Sequence, residues 1–169
     1  MTRVWHYESP VGKLGIAEDG NGICALFFAE ETLDREQKSA IRKQESWVPE
    51  ETGLIKRAWI QLQEYFAGER REFDLPLSLH GTDFQLADWA ALQTIPYGET
   101  CSYSHIAKLI GKEKACRAVG MANHHNPVSI VVPCHRVVGK NGKLVGYGGG
   151  LDKKKYLLEL EQKNRISGQ

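Results

Sequence analysis

The sequence predicts an α+β protein in two parts: a small antiparallel sheet with one helix, then a mostly helical part with a helix-turn-helix. Short apolar runs alternate with turn sequences in the first 28 residues. Apolar residues recur at helical spacing from about residue 51, and again after residue 80 between breaks at Gly and Pro. The composition, with 41% hydrophobic and 25% charged residues over 169 positions, is typical of a globular protein.

The first elements are predicted to be three strands, over residues 4–7, 13–17 and 23–28. The segments Ser9-Pro10-Val11-Gly12 and Asp19-Gly20-Asn21-Gly22 separate them and are rich in turn-forming residues. Turns this short join antiparallel neighbours, so the three strands form a meander. Cys24 lies inside the third apolar run and is expected to belong to the core.

A helix is predicted over residues 51–67, ending near Gly68. The apolar residues that define its buried face recur at helical spacing and are Ile55, Trp59, Leu62 and Phe66. Residues 30–48 are polar and are expected to form a surface helix or loop. Pro76 restricts the segment 74–79 to an edge strand or a linker. We therefore predict a domain boundary near residue 80, with domains over residues 1–80 and 81–169.

The second part contains three predicted helices in succession. Thr82 can cap a helix that runs to about Ile95. A short helix begins at Ser102 or Ser104 and stops at Gly111, and another covers residues 113–123. Two short helices joined by a turn with glycine are typical of a helix-turn-helix, whose second helix enters a DNA groove.

After these helices, residues 128–132 form an apolar run that resembles a strand. A last helix is predicted to begin at Asp152, with the three lysines 153–155 exposed.

Charge is distributed unequally along the chain. Residues 1–79 contain 10 Lys and Arg against 14 Asp and Glu, whereas residues 80–169 contain 12 against 7. The first part therefore carries −4 and the second +5, which suggests that the second part meets an anionic partner. An asymmetry of this size also occurs by chance in small domains.

Membrane and secretory classes are not indicated. The sequence has no apolar run of about 18 residues and no signal-peptide core near its start. We therefore expect a cytoplasmic protein, or a nuclear one in a eukaryotic cell, with reduced thiols. The four cysteines contain no Cys-x-x-Cys pair, so neither a zinc ribbon nor a thioredoxin-like motif is predicted.

Cys134 is the strongest candidate for chemistry. It lies between Pro133 and the pair His135 and Arg136, and nearby positive charge or imidazole favours a reactive thiolate. A buried structural cysteine is one alternative. A metal site with His124 and His125 is another, but adjacent residues on a strand point to opposite faces, so no metal is predicted.

Residues 96–161 resemble the catalytic domain of the O6-alkylguanine-DNA alkyltransferases, also called methylated-DNA–protein-cysteine methyltransferases. The most specific matching segment is Ile-Val-Val-Pro-Cys-His-Arg-Val at 130–137. The others are Ile-Pro-Tyr-Gly-Glu-Thr at 95–100, Ser-Tyr with Ile-Ala within 102–107, Arg-Ala-Val-Gly at 117–120, Asn-Pro-Val at 126–128, Gly-Tyr-Gly-Gly-Gly-Leu at 146–151 and Lys-Tyr-Leu-Leu-Glu-Leu-Glu at 155–161. Residues 1–80 match more loosely, and the resemblance implies a ribonuclease-H-like domain there.

The resemblance implies a DNA-repair reaction. The protein would flip an O6-alkylated guanine out of duplex DNA and transfer the alkyl group to Cys134, once per molecule; O4-alkylthymine is a further expected substrate. His135 would act through a water as base, oriented by Glu161, while Asn126 braces the active-site turn. Tyr103 would donate a hydrogen bond or proton to the leaving guanine.

The resemblance also implies DNA-binding residues and a substrate pocket. Arg117 would fill the gap left by the flipped base. The other DNA-binding residues implied are Tyr103, Ala118, Gly120 and Asn123, and the pocket residues are Val137, Tyr147, Gly148 and Gly149. Gly148 stands where relatives often carry Ser or Ala, so one contact to the base is expected to be missing.

The implied partner is double-stranded DNA containing alkylated guanine. No cofactor, metal, membrane or obligate protein partner is implied, and a monomer is expected. A lesion-binding protein or regulator without transfer is the main alternative, and a cysteine hydrolase is a weaker one, because no separate histidine with a supporting Asn or Asp stands out. The range of alkyl groups, the cooperativity on DNA and the organism do not follow from the sequence.

Overall fold

The computed structural model describes residues 1–29, 46–147 and 150–167; for residues 166 and 167 it describes the backbone only. The chain divides into two compact units, Met1–Leu79 and His80–Gln169. No helix among the described residues combines the length and apolarity that a membrane span requires.

The first unit is built on a sheet whose four described strands lie in the order β3-β2-β1-β4. Their bounds are β1, Arg3–Ser9; β2, Gly12–Glu18; β3, Ile23–Phe28; and β4, Val48–Pro49. The predicted meander is confirmed: β1 pairs antiparallel with β2, and β2 with β3. The short β4 adds a parallel pairing with β1 that was not predicted. Most of the predicted surface segment 30–48 lies outside the described residues, and only its end is seen, as a turn that leads into β4.

One helix covers the sheet of the first unit. Helix α1 spans Gly53–Phe66, and the Thr52 side chain caps it by accepting a hydrogen bond from the backbone of Ile55. The helix contacts β1, β2 and β3, and its buried residues are Ile55, Ala58, Gln61, Leu62 and Tyr65. Trp59 and Phe66 of the predicted apolar face are only half-buried. The segment at Pro76 meets β3 through a single bridge between Leu77 and Ile23, as expected of an edge.

The second unit is mostly helical. Its described helices are α2, Asp83–Leu92; α3, Tyr103–Ile110; α4, Cys116–His124; and α5, Leu151–Ser167. Helices α2, α3 and α4 pack against one another in pairs. Two short parallel strands, β5 over Cys101–Ser102 and β6 over Val137–Val138, join the start of α3 to the segment after Cys134.

The predicted helix-turn-helix is present as α3 and α4. The Ser102 side chain caps α3, and Gly111 ends it in the left-handed conformation at φ 80°. Lys112 N donates to Ala107 O at 2.9 Å and Gly111 N donates to Lys108 O at 3.0 Å, so the last carbonyls of α3 are satisfied.

Three predictions for this unit need correction. Helix α2 ends at Leu92 rather than Ile95, because residues 93–95 tighten into turns. Helix α4 begins at Cys116 rather than residue 113, because residues 112–115 form the turn after α3. Residues 128–132 are a series of tight turns rather than a strand, and Cys134–Arg136 is a 3-10 turn. Because Cys134 and His135 lie in this turn, the opposite-face geometry that we expected of a strand does not hold for them.

Candidate active site

Cys134 is presented by an unusually tight stretch of backbone. Pro133 has φ −83° and ψ 63°, and across it Cys134 N donates to Val132 O at 2.8 Å, which makes an inverse γ-turn. The chain then forms one 3-10 turn, closed by Arg136 N donating to Pro133 O at 3.0 Å. Proline has its backbone angle φ fixed by the ring, so Pro133 favours this geometry from sequence alone.

A second tight turn precedes the first, at Ile130. This residue has φ 71°, in the left-handed region that β-branched residues avoid, and Val131 N donates to Ser129 O across it at 2.8 Å. The Ile130 side chain is buried, so packing holds the strained backbone in place. Strain of this kind next to a reactive side chain is typical of functional sites.

Asn126 ties these turns to the thiol. Its amide Nδ2 donates to Val132 O at 2.7 Å and to Cys134 Sγ at 3.2 Å. Its Oδ1 accepts from Val128 N at 3.0 Å. The side chain that the resemblance assigned to bracing the turn therefore contacts both the turn and the sulfur atom.

The Cys134 thiol is buried, with 7% of the residue exposed. Burial raises its pKa to about 11, against the opposing influence of the Asn126 hydrogen bond and the positive charge of Lys154. Cys134 in this state is therefore predominantly a neutral thiol, and its use as a nucleophile requires a group that removes the proton.

His135 and Glu161 form a buried pair behind the thiol. His135 Nε2 lies 2.7 Å from Glu161 Oε2, and both side chains are almost fully buried. Burial lowers the pKa of His135, although Glu161 partly opposes this, so the imidazole is neutral near pH 7. An ionised carboxylate only accepts hydrogen bonds, so it selects the tautomer with the proton on Nε2. His135 Nδ1 is buried without a hydrogen-bond partner among the described residues, and its lone pair is left to accept a proton.

Arg136 completes the environment of Glu161 and was not among the predicted site residues. Its Nε donates to Glu161 Oε1 at 2.8 Å, and one terminal nitrogen donates to Oε2 at 3.1 Å. The other terminal nitrogen donates to Ile95 O at 2.8 Å. Burial alone would raise the pKa of Glu161, but the hydrogen bond from His135 and the charge and hydrogen bonds of Arg136 outweigh it and hold that pKa well below its usual range.

The position of Lys154 differs from the prediction. It was expected to be exposed on the last helix, but it is fully buried, and its Nζ donates to Val137 O at 2.6 Å and to Val145 O at 2.9 Å. Lys154, Leu157 and Glu161 are spaced three and four residues apart and so share one face of α5. That spacing is the signal by which its burial could have been predicted.

Tyr103 and Gly120 lie where the two helices of the helix-turn-helix approach each other. The Tyr103 hydroxyl donates to Val145 O at 3.2 Å. Burial and the Cys134 charge raise the pKa of Tyr103, so it retains a proton that it can donate. A Cβ atom on Gly120 would lie 3.8 Å from the Tyr103 ring, which places this part of α4 beside α3.

The predicted DNA-binding residues of α4 do not share one environment. Arg117 and Ala118 are exposed, as a nucleic-acid contact requires. Asn123 is buried instead, because its amide faces Asp88 on α2. The prediction that Asn123 contacts DNA therefore does not fit its position.

The predicted pocket residues are described in part. Val137 is buried in β6, and its carbonyl receives the Lys154 ammonium group. Tyr147 has a buried hydroxyl, and burial raises its pKa well above the usual value. Gly148 and Gly149 lie outside the described residues. Across residues 1–29, 46–147 and 150–167, no three His, Cys, Asp or Glu side chains are grouped so that they could hold a metal.

Comparison with known proteins extends over nearly the whole chain. Residues 4–79 match the model of the 6-O-methylguanine DNA methyltransferase ribonuclease-like domain, and residues 83–163 match the model of the DNA binding domain of the same family. A methylated-DNA--protein-cysteine methyltransferase of Mycobacterium tuberculosis is 50% identical over 160 residues, which cover 93% of this chain and 92% of that protein.

Solved structures agree with these matches. The O6-methylguanine methyltransferase of M. tuberculosis is 48% identical, with a TM-score of 0.87 over 97% of this chain and 94% of that one. The same organism's OGT in complex with DNA is also 48% identical, with a TM-score of 0.84 over 96% and 94% of the two chains. The identity and the coverage of both domains establish that this chain belongs to the 6-O-methylguanine DNA methyltransferase family, as a methylated-DNA–protein-cysteine methyltransferase.

Proposed function

We propose that this protein repairs alkylated DNA by transferring the alkyl group from O6 of a guanine in duplex DNA to its own Cys134. The main observation behind this proposal is the arrangement of four side chains. Asn126 donates a hydrogen bond to the Cys134 thiol, and Glu161 fixes the tautomer of the neighbouring His135. The relatives' names and the DNA complex of one of them support DNA as the partner. Work on DNA would place the protein in the cytoplasm, or in a eukaryotic nucleus.

The proton of the thiol goes to His135. Glu161 holds the Nε2 proton of the imidazole, so Nδ1 is the basic atom and takes the thiol proton through a bridging water. The imidazolium that forms is stabilised by the carboxylate of Glu161. The amide of Asn126 and the charge of Lys154 favour the thiolate, because both lower the pKa of Cys134.

The transfer itself is a displacement at the alkyl carbon. A bond forms between Cys134 Sγ and that carbon while the bond from the carbon to O6 breaks, and its electron pair stays on the guanine. The guanine leaves more readily when it is protonated, and Tyr103 holds a proton for this purpose. The resulting thioether is chemically stable, so we expect each molecule to act once.

Base flipping gives the thiol access to its substrate. An alkyl carbon on a stacked base cannot reach a buried thiol, and extrusion of a base costs a few kcal/mol. Arg117 is exposed on α4 and can occupy the gap in the stack, where its planar cation stacks and donates hydrogen bonds. The family resemblance implies that α4 docks in the minor groove, which distinguishes sequences poorly and so suits a protein that must act in every sequence context. O4-alkylthymine has the same alkylated oxygen chemistry and is a second proposed substrate.

Replacement of Cys134 by Ala tests this proposal. With duplex DNA whose O6-methylguanine carries a labelled methyl group, we expect no label on the variant but unchanged binding in a gel shift. Cys24→Ala is the matched control and should accept label like the wild type. Label on the Cys134→Ala protein would overturn the proposal.

A lesion-binding protein without transfer is the second candidate, and the burial of the Cys134 side chain, which raises its pKa, is the observation that favours it. It predicts tight binding to the alkylated duplex and no label on the wild-type protein. The same experiment therefore separates the two functions.

A further inference from the structure

Asp88 is a buried carboxyl group that the proposed chemistry does not use. It lies on α2, is fully buried, and among the described residues it meets the side-chain amide of Asn123 on α4. In the orientation that satisfies both partners, Asn123 Nδ2 donates to Asp88 Oδ2 at 2.6 Å and to Val119 O at 3.2 Å. A buried carboxylate without a cationic partner is costly, so its presence needs a reason.

Two consecutive residues of α2 form hydrogen bonds with two consecutive residues of α4. Trp89 Nε1 donates to Ala122 O at 2.9 Å, beside the contact between Asp88 and Asn123. The carboxyl-terminal end of α4 is therefore fixed to α2 by one neutral hydrogen bond and one to a titratable group.

Asn123 is linked to the Cys134 thiol through Asn126. Asn126 N donates to Asn123 O at 3.1 Å, and Asn126 Nδ2 donates to Cys134 Sγ at 3.2 Å. Three hydrogen bonds, joined through the covalent frames of Asn123 and Asn126, thus link the Asp88 carboxyl group to the sulfur atom.

We propose that Asp88 is a positioning residue for the alkyl acceptor: it holds Asn123 and, through Asn126, the Cys134 thiol, and its negative charge acts on the sulfur atom. The inference rests on the proposed function, in which Cys134 accepts the alkyl group.

The charge of Asp88 acts against the thiolate. Burial raises the pKa of Asp88 to about 7, and its carboxylate raises the pKa of Cys134. Below pH 7 the carboxyl group is neutral and the thiol ionises as if Asp88 were uncharged. Above pH 7 the carboxylate opposes ionisation of the thiol.

Among the residues that the structure describes, three other charged or titratable groups interact with the thiol from other elements: Tyr103 on α3, Tyr147, and Lys154 on α5. His135 and Arg136 follow Cys134 in the 3-10 turn and are paired with Glu161 on α5. Each of them remains in a variant of Asp88. A comparison between such a variant and the wild type therefore isolates the carboxyl group.

Labelling of Cys134 with iodoacetamide between pH 5.5 and 9.5 tests the effect of the charge. Asp88→Asn keeps the shape and an oxygen that accepts from Asn123 but removes the charge. We expect equal rates for variant and wild type at pH 5.5, and a variant rate about threefold or more higher at pH 9, which corresponds to half a unit or more in the pKa of the thiol. Peptide mapping separates Cys134 from the exposed Cys116, which serves as reference in every sample.

Asp83→Asn, exposed on the same helix, is the control and should match the wild type at every pH. A purely structural effect of Asp88→Asn would change the rate by the same factor throughout, and that result would overturn the proposal. Should the Asp88→Asn protein not fold, Asp88→Ala, which also removes the charge, takes its place in the same comparison with the wild type, with the same expected and contradicting results.

Methyl transfer from an O6-methylguanine duplex tests the hydrogen-bonded path. We expect Asp88→Ala and Asn123→Ala each to slow transfer, and the double variant to be no slower than the slower single variant, because both changes break one link. Fully additive losses would contradict the path. If the labelling profile changes as expected but the wild type accepts no methyl group, the proposed function fails while the effect of Asp88 on the thiol stands.

Discussion

Glu161 accepts hydrogen bonds from both His135 and Arg136, so its replacement should affect both the stability of the fold and the rate of methyl transfer. Glu161→Gln leaves Arg136 buried without a counter-charge and leaves one acceptor oxygen where two now accept from His135 and Arg136, so the His135 tautomer is no longer fixed. We expect a loss of about 3 to 5 kcal/mol in the free energy of unfolding, measured in urea, and slower methyl transfer.

Glu159→Gln is the matched control for this variant. Glu159 lies two residues earlier on α5, is exposed, and is paired only loosely with Lys155 at 3.9 Å. Its replacement should change the free energy of unfolding by less than about 0.5 kcal/mol. Equal effects of the two substitutions would contradict the assignment of Glu161 to the site.

His135 makes stability depend on pH in a predictable direction. Its pKa in the folded protein is lowered by burial, whereas the unfolded chain takes up a proton near pH 6.5. The stability contributed by the neutral imidazole is therefore complete above pH 6.5 and is lost as the pH falls below it, by up to about 1.4 kcal/mol per pH unit.

Urea unfolding at pH 7, 6 and 5 measures this dependence. Asp88, whose pKa is raised to about 7, stabilises the fold as it takes up a proton in the same pH range, so the effect of His135 is read as a difference from the wild type. His135→Gln should gain stability relative to the wild type between pH 7 and 5, whereas His105→Gln, at an exposed position, should not. A difference between His135→Gln and the wild type that is the same at all three pH values would show that the titrating group lies elsewhere.

Individual side chains were predicted with unequal success, for physical reasons. The sequence pointed to Cys134 because its neighbours are unusual for a core cysteine. Lys154 was taken as exposed because lysine usually is, although three backbone carbonyls receive its ammonium group. The pairing of Asp88 with Asn123 could not be predicted, because it depends on how two separate helices pack.

Among the elements, the turn between α3 and α4 depends on one glycine. Gly111 has φ 80°, and a Cβ atom there would contact nothing within 4 Å, so backbone strain is the whole cost of a side chain. Gly111→Ala should lower the free energy of unfolding by about 1 kcal/mol or more.

Gly53→Ala is a comparison for which we expect the opposite effect on the free energy of unfolding. A Cβ atom would also meet open space there, but the residue is the first of α1 and has helical geometry. This substitution should raise the free energy of unfolding by roughly 0.5 kcal/mol. Thermal unfolding followed by circular dichroism measures both, and a stabilising Gly111→Ala would contradict the account of the turn.

Local signals predicted most elements, and they failed where tertiary contacts decide. Thr82 and Ser102 cap α2 and α3 as expected, because capping needs only neighbouring residues. The apolar run at 128–132 resembled a strand but forms turns, because Asn126 and the buried Ile130 impose another backbone path. The partner of β4 is 45 residues away in sequence, so its pairing had no local signal.

At the scale of the whole molecule, the two units differ in charge, and the family resemblance and the α+β class are both confirmed. The net +5 of residues 80–169 predicts that binding to duplex DNA weakens steeply with salt. With about two to four phosphates neutralised, affinity should fall roughly 10- to 100-fold between 50 and 200 mM salt.

Fluorescence anisotropy with an unmodified duplex measures this salt dependence. Arg117→Gln should weaken binding, whereas Lys56→Gln, exposed on α1 in the first unit, is expected to have little effect. Affinity that does not change with salt would contradict an electrostatic interface on the second unit.

The central claim is single use of Cys134, and the intact mass of the protein tests it most directly. The protein is mixed with increasing amounts of a duplex containing O6-methylguanine, and the mass is measured at each ratio. The account predicts a gain of one methylene unit, located on Cys134 by peptide mapping and saturating at one per molecule. Repeated consumption of the lesion by protein of unchanged mass, or binding with no mass gain at all, would contradict it.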